Sequence, residues 1–258
     1  MTKKMGDIKL ELEGCEIAAY PSFITTYEQD ERSGVQKLVA KARKALEKLE
    51  EEKARIYKMQ EYERQYSDRT YICGIDEAGR GPLAGPVVAG AVVLPKDCDI
   101  LYLNDSKQLS EKKREELYDE IMKKAVAVGV GIVDEKRIDE INILNADYEA
   151  MRIAIKNLNI EPDILLNDAV TIPEVPYEQV PIIKGDAKSV SIAAASIIAK
   201  VTRDRLMMEY DKQYPEYGFA SNKGYGSQNH IQALREHGVT PIHRRSFLKN
   251  FNLEEEKD

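Results

Sequence analysis

Tyr71-Ile72-Cys73-Gly74-Ile75-Asp76-Glu77-Ala78-Gly79-Arg80-Gly81-Pro82 begins as a short apolar run and ends on two acids and a glycine-rich turn. The run is too short for a helix and is followed by turn residues, so it predicts a β-strand. Ligands of α/β proteins collect at the carboxyl ends of strands, which is where Asp76 and Glu77 stand. Adjacent carboxylates repel and resist joint ionisation. A divalent cation removes that conflict: Mg²⁺ and Mn²⁺ take oxygen ligands and keep waters, so a few carboxylates and a substrate phosphate suffice. An isolated Asp-Glu pair is ordinarily solvated and idle, but Gly79-Arg80-Gly81 changes the weighing. Flanking glycines let a backbone approach a ligand closely. Successive N–H groups there can cradle an anion, and Arg80 adds charge-assisted hydrogen bonds. The combination suits a phosphodiester held by metal on one side and by donors on the other.

Working outward, residues 86–94, 126–133, 162–168 and 180–183 predict four more strands, and 110–124, 141–158 and 188–213 predict helices, with Ser110 as an N-cap. Residues 192–199 are apolar on nearly every side, so that helix should be deeply buried. Strands alternating with helices after a run of adjacent strands give an α/β fold with a mixed sheet. Upstream, Val35, Leu38, Ala42, Ala45, Leu49, Ile56 and Met59 recur near heptad spacing, so residues 28–66 predict one long helix or a helical pair. The expected division is a helical N-terminal extension, 1–69, and an α/β domain, 70–258, with a C-terminal helical tail.

The chain has 258 residues, 43% apolar and 32% charged, which supplies a core and a solvated surface. No apolar run reaches the roughly 18 residues of a membrane span, and the start lacks an apolar signal core. A cytoplasmic protein is expected. Cys15, Cys73 and Cys98 form no CxxC pair and read as buried apolar residues. The net charge of −7 does not advertise a nucleic-acid binder, but residues 184–249 carry eleven Lys/Arg against six Asp/Glu. A local basic face of that kind can bind phosphate. Further acids compete for metal positions. Asp168 ends a strand, Asp186 precedes the buried helix and could simply cap it, and Asp105 opens Asp105-Ser106-Lys107. His230, His237 and His243 read as structural or phosphate-contacting rather than as metal ligands.

These stretches together resemble ribonuclease HII, the type 2 ribonuclease H of bacteria, over about residues 71–247. The match rests on 74–82, on Asp105-Ser106-Lys107-Gln108-Leu109-Ser110, on Lys184-Gly185-Asp186 with the helix after it, and on Lys223-Gly224-Tyr225-Gly226 with His243-Arg244-Arg245-Ser246-Phe247. The resemblance implies a ribonuclease H-like five-stranded sheet flanked by helices. It implies that Asp76, Glu77, Asp168 and Asp186 are the catalytic, metal-binding acids, with Asp163 standing too early in its strand to be the third. Gly79, Arg80 and Gly81 match the loop that senses the ribose 2′-OH, and Tyr225 the tyrosine that stacks at the RNA–DNA junction. Ser106 and Lys107 match phosphate contacts, and Lys184 is taken as a further substrate contact. Two departures stand beside Asp168: Asn167 where an aliphatic residue is usual, and Ala169 where glycine is frequent. The implied activity is endonucleolytic hydrolysis of the RNA strand of RNA–DNA hybrids and cutting 5′ of ribonucleotides embedded in duplex DNA. It uses two Mn²⁺ or Mg²⁺ ions, leaves 5′-phosphate and 3′-hydroxyl ends, and serves primer removal and ribonucleotide excision repair. A monomer acting on nucleic acid, away from membranes, is expected. Physics agrees on one point: only the 2′-OH separates RNA from DNA, so an enzyme selective for ribonucleotides must hydrogen-bond it. The rivals are a type 3 ribonuclease H, whose N-terminal domain carries a sheet, and a non-catalytic nucleic-acid-binding protein on this fold.

Overall fold

The computed structural model describes residues 3–249 and 251; the last part of the expected tail, 252–258, lies outside the described residues. The chain divides into two compact units, residues 1–58 and 59–258.

The first unit is helical: α1 (Met5–Gly14), α2 (Tyr20–Tyr27) and α3 (Ser33–Met59), the last beginning in the first unit. Ile8 and Leu12, Phe23 and Tyr27, and Val35, Val39 and Ala42 bury against one another as its core. The long helix was legible from its spacing. The two before it were not anticipated as separate helices, because α1 is short and has only two buried apolar positions.

The second unit runs α4 (Glu61–Gln65), β1 (Ile72–Ala78), β2 (Val87–Val93), α5 (Glu111–Lys124), β3 (Ala127–Val133), α6 (Glu135–Lys156), β4 (Ile164–Asp168), β5 (Glu178–Ile182), α7 (Val190–Gln213), α8 (Phe219–Asn222), α9 (Gln228–His237) and α10 (Arg245–Leu248). Its sheet has the order β3-β2-β1-β4-β5. β1, β2 and β3 pair antiparallel, while β4 and β5 join parallel to β1. This is the mixed five-stranded sheet flanked by helices that was expected.

Strand ends shift by one or two residues, and two helix starts of this unit also differ. Helix α6 starts at Glu135, capped by Asp134, and is broken at Asn142 (φ 66°, ψ 165°), whose Oδ1 accepts from the Leu144 and Asn145 N–H groups. Only the segment after that break carries the apolar spacing read from the sequence. Helix α7 starts at Val190, because Ser189 rather than Asp186 is its N-cap, accepting from Ile192 N–H. Ser110 caps α5 as expected, accepting from Lys113 N–H. Cys73 and Cys98 are buried and Cys15 is only half-buried.

Side chains alternate across the sheet. Cys73, Ile75, Val87, Ala89, Ala91 and Val93 face α6, with its Ala150, Met151 and Ala154. Gly74, Asp76 and Gly90 face α7. Glycines bring both helices in close. A Cβ on Gly131 would lie 1.9 Å from the Ala150 carbonyl oxygen, and one on Gly90 would lie 2.4 Å from that of Ala195.

Gly131→Ala should therefore push α6 off the sheet. We expect a loss of about 1–3 kcal/mol in urea or thermal unfolding. Unchanged stability would contradict the packing described.

Candidate active site

Continuing the β1–β4 register beyond Ile75↔Asn167 sets Asp76 beside Asp168, at the carboxyl ends of adjacent parallel strands and on the α7 face. Asp186 comes from the turn between β5 and α7, and Asp168 Oδ1 holds that turn by accepting from Gly185 N–H at 2.7 Å. One carboxylate oxygen from each of Asp76, Asp168 and Asp186 lies within 4.8 Å of the others. Glu77 is not one of these three, but its side chain hydrogen-bonds with that of Asp76, and Asp168 is close enough to raise its pKa. The Asp168 neighbourhood explains both departures of the sequence. Asn167 is turned away from the acids and donates to Gln179 Oε1 on β5 and to Val170 O in the loop after β4. Ala169 takes a positive φ of 56°, a strained conformation that glycine would adopt freely.

Charges this close repel by about 3–4 kcal/mol per ionised pair at an effective dielectric near 20. Burial, then the charges of Glu77 and Asp168, push Asp76 well above the usual carboxylate range, and a hydrogen bond with Ser196 of α7 works the other way. Asp186 is pushed up to about 6 by burial and by Asp105 and Asp168. Glu77 is raised first by burial, while Arg80 pulls it back. For Lys107, burial acts to lower the pKa, but Asp105, Asp76, Asp186 and Glu77 outweigh it. Lys107 is thus the cation that faces the acids. Three oxygens of a hard-ligand set held near one point fit a divalent metal.

The other expected residues fall around this centre. Asp105 caps the turn before Lys107, accepting from its N–H. Ser106 is buried and its hydroxyl hydrogen-bonds with that of Ser196, so Lys107 rather than Ser106 faces outward. Lys184 is exposed and left-handed (φ 57°), just ahead of Asp186. The Tyr225 ring lies over the glycine loop, its Cε1 3.6 Å from where a Gly81 Cβ would be. Arg80 reaches back toward Glu77 Oε1 (3.6 Å) and Asp147 Oδ2 (3.5 Å).

Four contributors escaped the sequence reading. Arg203 and Arg244 are fully buried beneath the glycine loop. Arg203 donates to the carbonyls of Ala84, Pro86 and Lys223, and Arg244 to those of Gly79, Arg80 and Gly85. Together they turn the loop's carbonyl oxygens inward. Asp147 is fully buried, makes no hydrogen bond, and is pushed up to about 8 by burial and by Glu77. Its signal was an acid inside the α6 apolar stripe, beside Ala146 and Ala150. Glu63 of α4 accepts from Ser189 Oγ and Ser191 N–H, fixing the start of α7.

The family model described as ribonuclease HII matches residues 72–250, and the one described as ribonuclease HII N-terminal domain matches residues 4–67. A ribonuclease HII of Lachnoclostridium phytofermentans is 64% identical over 97% of this chain and 98% of its own length. That of Clostridioides difficile is 52% identical over 96% and 98%. The crystal structure of the ribonuclease H2 from Pyrococcus horikoshii superposes with a TM-score of 0.58 at 32% identity, covering 68% of this chain and 93% of that one. The N-terminal extension therefore lies inside the family's own pattern rather than outside it. The chain belongs to the ribonuclease HII family, and it is a ribonuclease H enzyme.

The raised carboxyls give a signed expectation. They bind protons in the folded state that the unfolded chain has released, so the metal-free fold loses stability as pH rises from about 4 through about 6. Bound Mn²⁺ should raise the melting temperature, and more at pH 8 than at pH 5.5, where protons compete for the same oxygens. Asp186→Asn should shrink that gain. A melting temperature indifferent to Mn²⁺ at pH 8 would contradict the site.

Proposed function

We propose that this ribonuclease HII family member cuts on the 5′ side of ribonucleotides embedded in duplex DNA and within the RNA strand of RNA–DNA hybrids, leaving 5′-phosphate and 3′-hydroxyl ends. The observation that carries the reading is the meeting of Asp76, Asp168 and Asp186 at one point beside a glycine loop faced by Tyr225. Those three acids, with Glu77 swinging in from beside Asp76, would hold two Mn²⁺ or Mg²⁺ ions. Bound there, the ions would supply Lewis acidity toward the phosphate, a water of lowered pKa and charge for the leaving 3′ oxygen.

The chain's own residues do the rest. Lys107, whose raised pKa keeps it charged, and Lys184 meet the backbone phosphates, while Ser106 supports the Lys107 turn through Ser196. The loop 79–81 reads the 2′-OH, and no side chain at Gly79 or Gly81 blocks its approach. The Tyr225 ring, half exposed, stacks at the junction, a contact worth on the order of 1–3 kcal/mol. Arg80 carries charge to the same place. Residues 70–258 would house this machinery and 1–69 would be an appended helical extension. Primer removal and ribonucleotide excision repair follow from that specificity, and we place the enzyme in the cytoplasm as a monomer. Among the described residues no helix is long and apolar enough to cross a membrane.

The test is a DNA duplex carrying one ribonucleotide, incubated with Mn²⁺, Mg²⁺ or chelator. Wild type should cut 5′ of the ribonucleotide only with metal. Asp76→Asn should reduce kcat by about 10²-fold or more while remaining folded. Cutting in chelator, or by the variant at the wild-type rate, would remove the assignment.

A further inference from the structure

His230 of α9 and His243, just before α10, are buried, with their Nε2 atoms 2.9 Å apart. The proton positions follow from the two ends of the chain of bonds. The Thr240 backbone N–H can only donate, and it meets His243 Nδ1 at 2.9 Å, so that nitrogen is bare. The neutral His243 ring therefore carries its proton on Nε2, aimed at His230. At the other end the Tyr225 carbonyl can only accept, and it lies 2.8 Å from His230 Nδ1, so that nitrogen is protonated and His230 Nε2 is bare. Both ends, taken separately, run the central bond from His243 to His230. A second proton on either ring would set two N–H groups face to face. The surroundings oppose one: Tyr217 and Phe219 rings stand edge-on to His230 and tilted against His243. Burial lowers the pKa of both rings, that of His243 to about 4 with His230 adding to the effect.

The relay ends on the backbone of Tyr225. That carbonyl also accepts from Ser227 N–H, and Tyr225 N–H donates to Asn222 O. The residue after His243 is Arg244, whose guanidinium holds the carbonyls of Gly79 and Arg80. One dipeptide thus grips both walls of the cleft: His243 sets the tyrosine, and Arg244 sets the glycine loop it faces.

We propose that His230 and His243 form a proton-ordered, doubly neutral pair that positions Tyr225 over the glycine loop for the ribonucleotide junction. The proposal rests on the reading of Tyr225 as the stacking residue. Neither histidine touches substrate. They act through the tyrosine, and they index its ring against Gly81.

Two measurements test this. In the intact, metal-free protein, two-bond ¹⁵N–¹H spectra at pH 7 should show His230 protonated at Nδ1 and His243 at Nε2. Any other tautomer pair, or a doubly protonated ring, overturns the relay without reference to catalysis. The second is kinetic, on the single-ribonucleotide duplex. His243→Phe keeps the ring volume and removes the donor. It should raise KM about tenfold, the scale of a stacking contact, with kcat within about twofold, since loss of uniform binding moves KM alone. Tyr225→Ala should do the same, and the double variant should be no worse than either single one. Additive losses in the double variant would overturn positioning. An unchanged KM for Tyr225→Ala would overturn the stacking reading, and with it the purpose of the relay, while the spectrum still decides the bond order. Should His243→Phe fail to fold, the native spectrum remains decisive.

Discussion

Helix α7 lies on β1 and β2 with backbone against backbone. A Cβ on Gly74 would sit 2.1 Å from the Ser191 carbonyl carbon, and one on Gly90 would meet Ala195. That approach is what the second unit is arranged around. It carries Ser196 to Asp76 and Ser106. It also places Arg203 two turns further along, under the loop that follows β1, where a Cβ on Gly79 would strike its Nε at 2.1 Å. A single larger residue at 74 or 90 would have to lift the helix that supports both the acids and the loop.

The resulting charge layout is lopsided. Acids gather above the sheet's carboxyl edge, and each costs more when its neighbours ionise. Two guanidiniums lie beneath the glycine loop and are satisfied by carbonyl oxygens rather than by carboxylates. Burial and the charge of Arg203 lower even the Arg244 pKa to about 9. On the proposed function, an incoming phosphodiester would meet the acids through its cations and the loop through its phosphate and 2′-OH.

What could be read from the sequence was whatever depends on local pattern. The apolar run ending in Asp76, the strand ending in Asp168 and the all-round apolar helix were visible because pleat and helix periods write themselves into residue spacing. The short turn holding Asp186 was visible as Lys184-Gly185-Asp186-Ala187-Lys188, but its alternative as a helix cap was settled only by Ser189 taking that place. Residues acting across the fold were not visible. Arg203 and Arg244 look like surface cations until the loop is seen wrapped over them. The Asn142 break hid the first half of α6, since its cap belongs to a kink with no periodic signature. Ala169 was flagged as an unusual residue, and its positive φ shows the strain that glycine would have avoided.

Convergence of carboxylates on a common cation site is the claim most open to direct sight. Crystals grown without metal and soaked in Mn²⁺ would be measured for anomalous scattering. Two manganese peaks among Asp76, Glu77, Asp168 and Asp186 are predicted. Absence of manganese there, with those side chains turned apart, would contradict the account at its root.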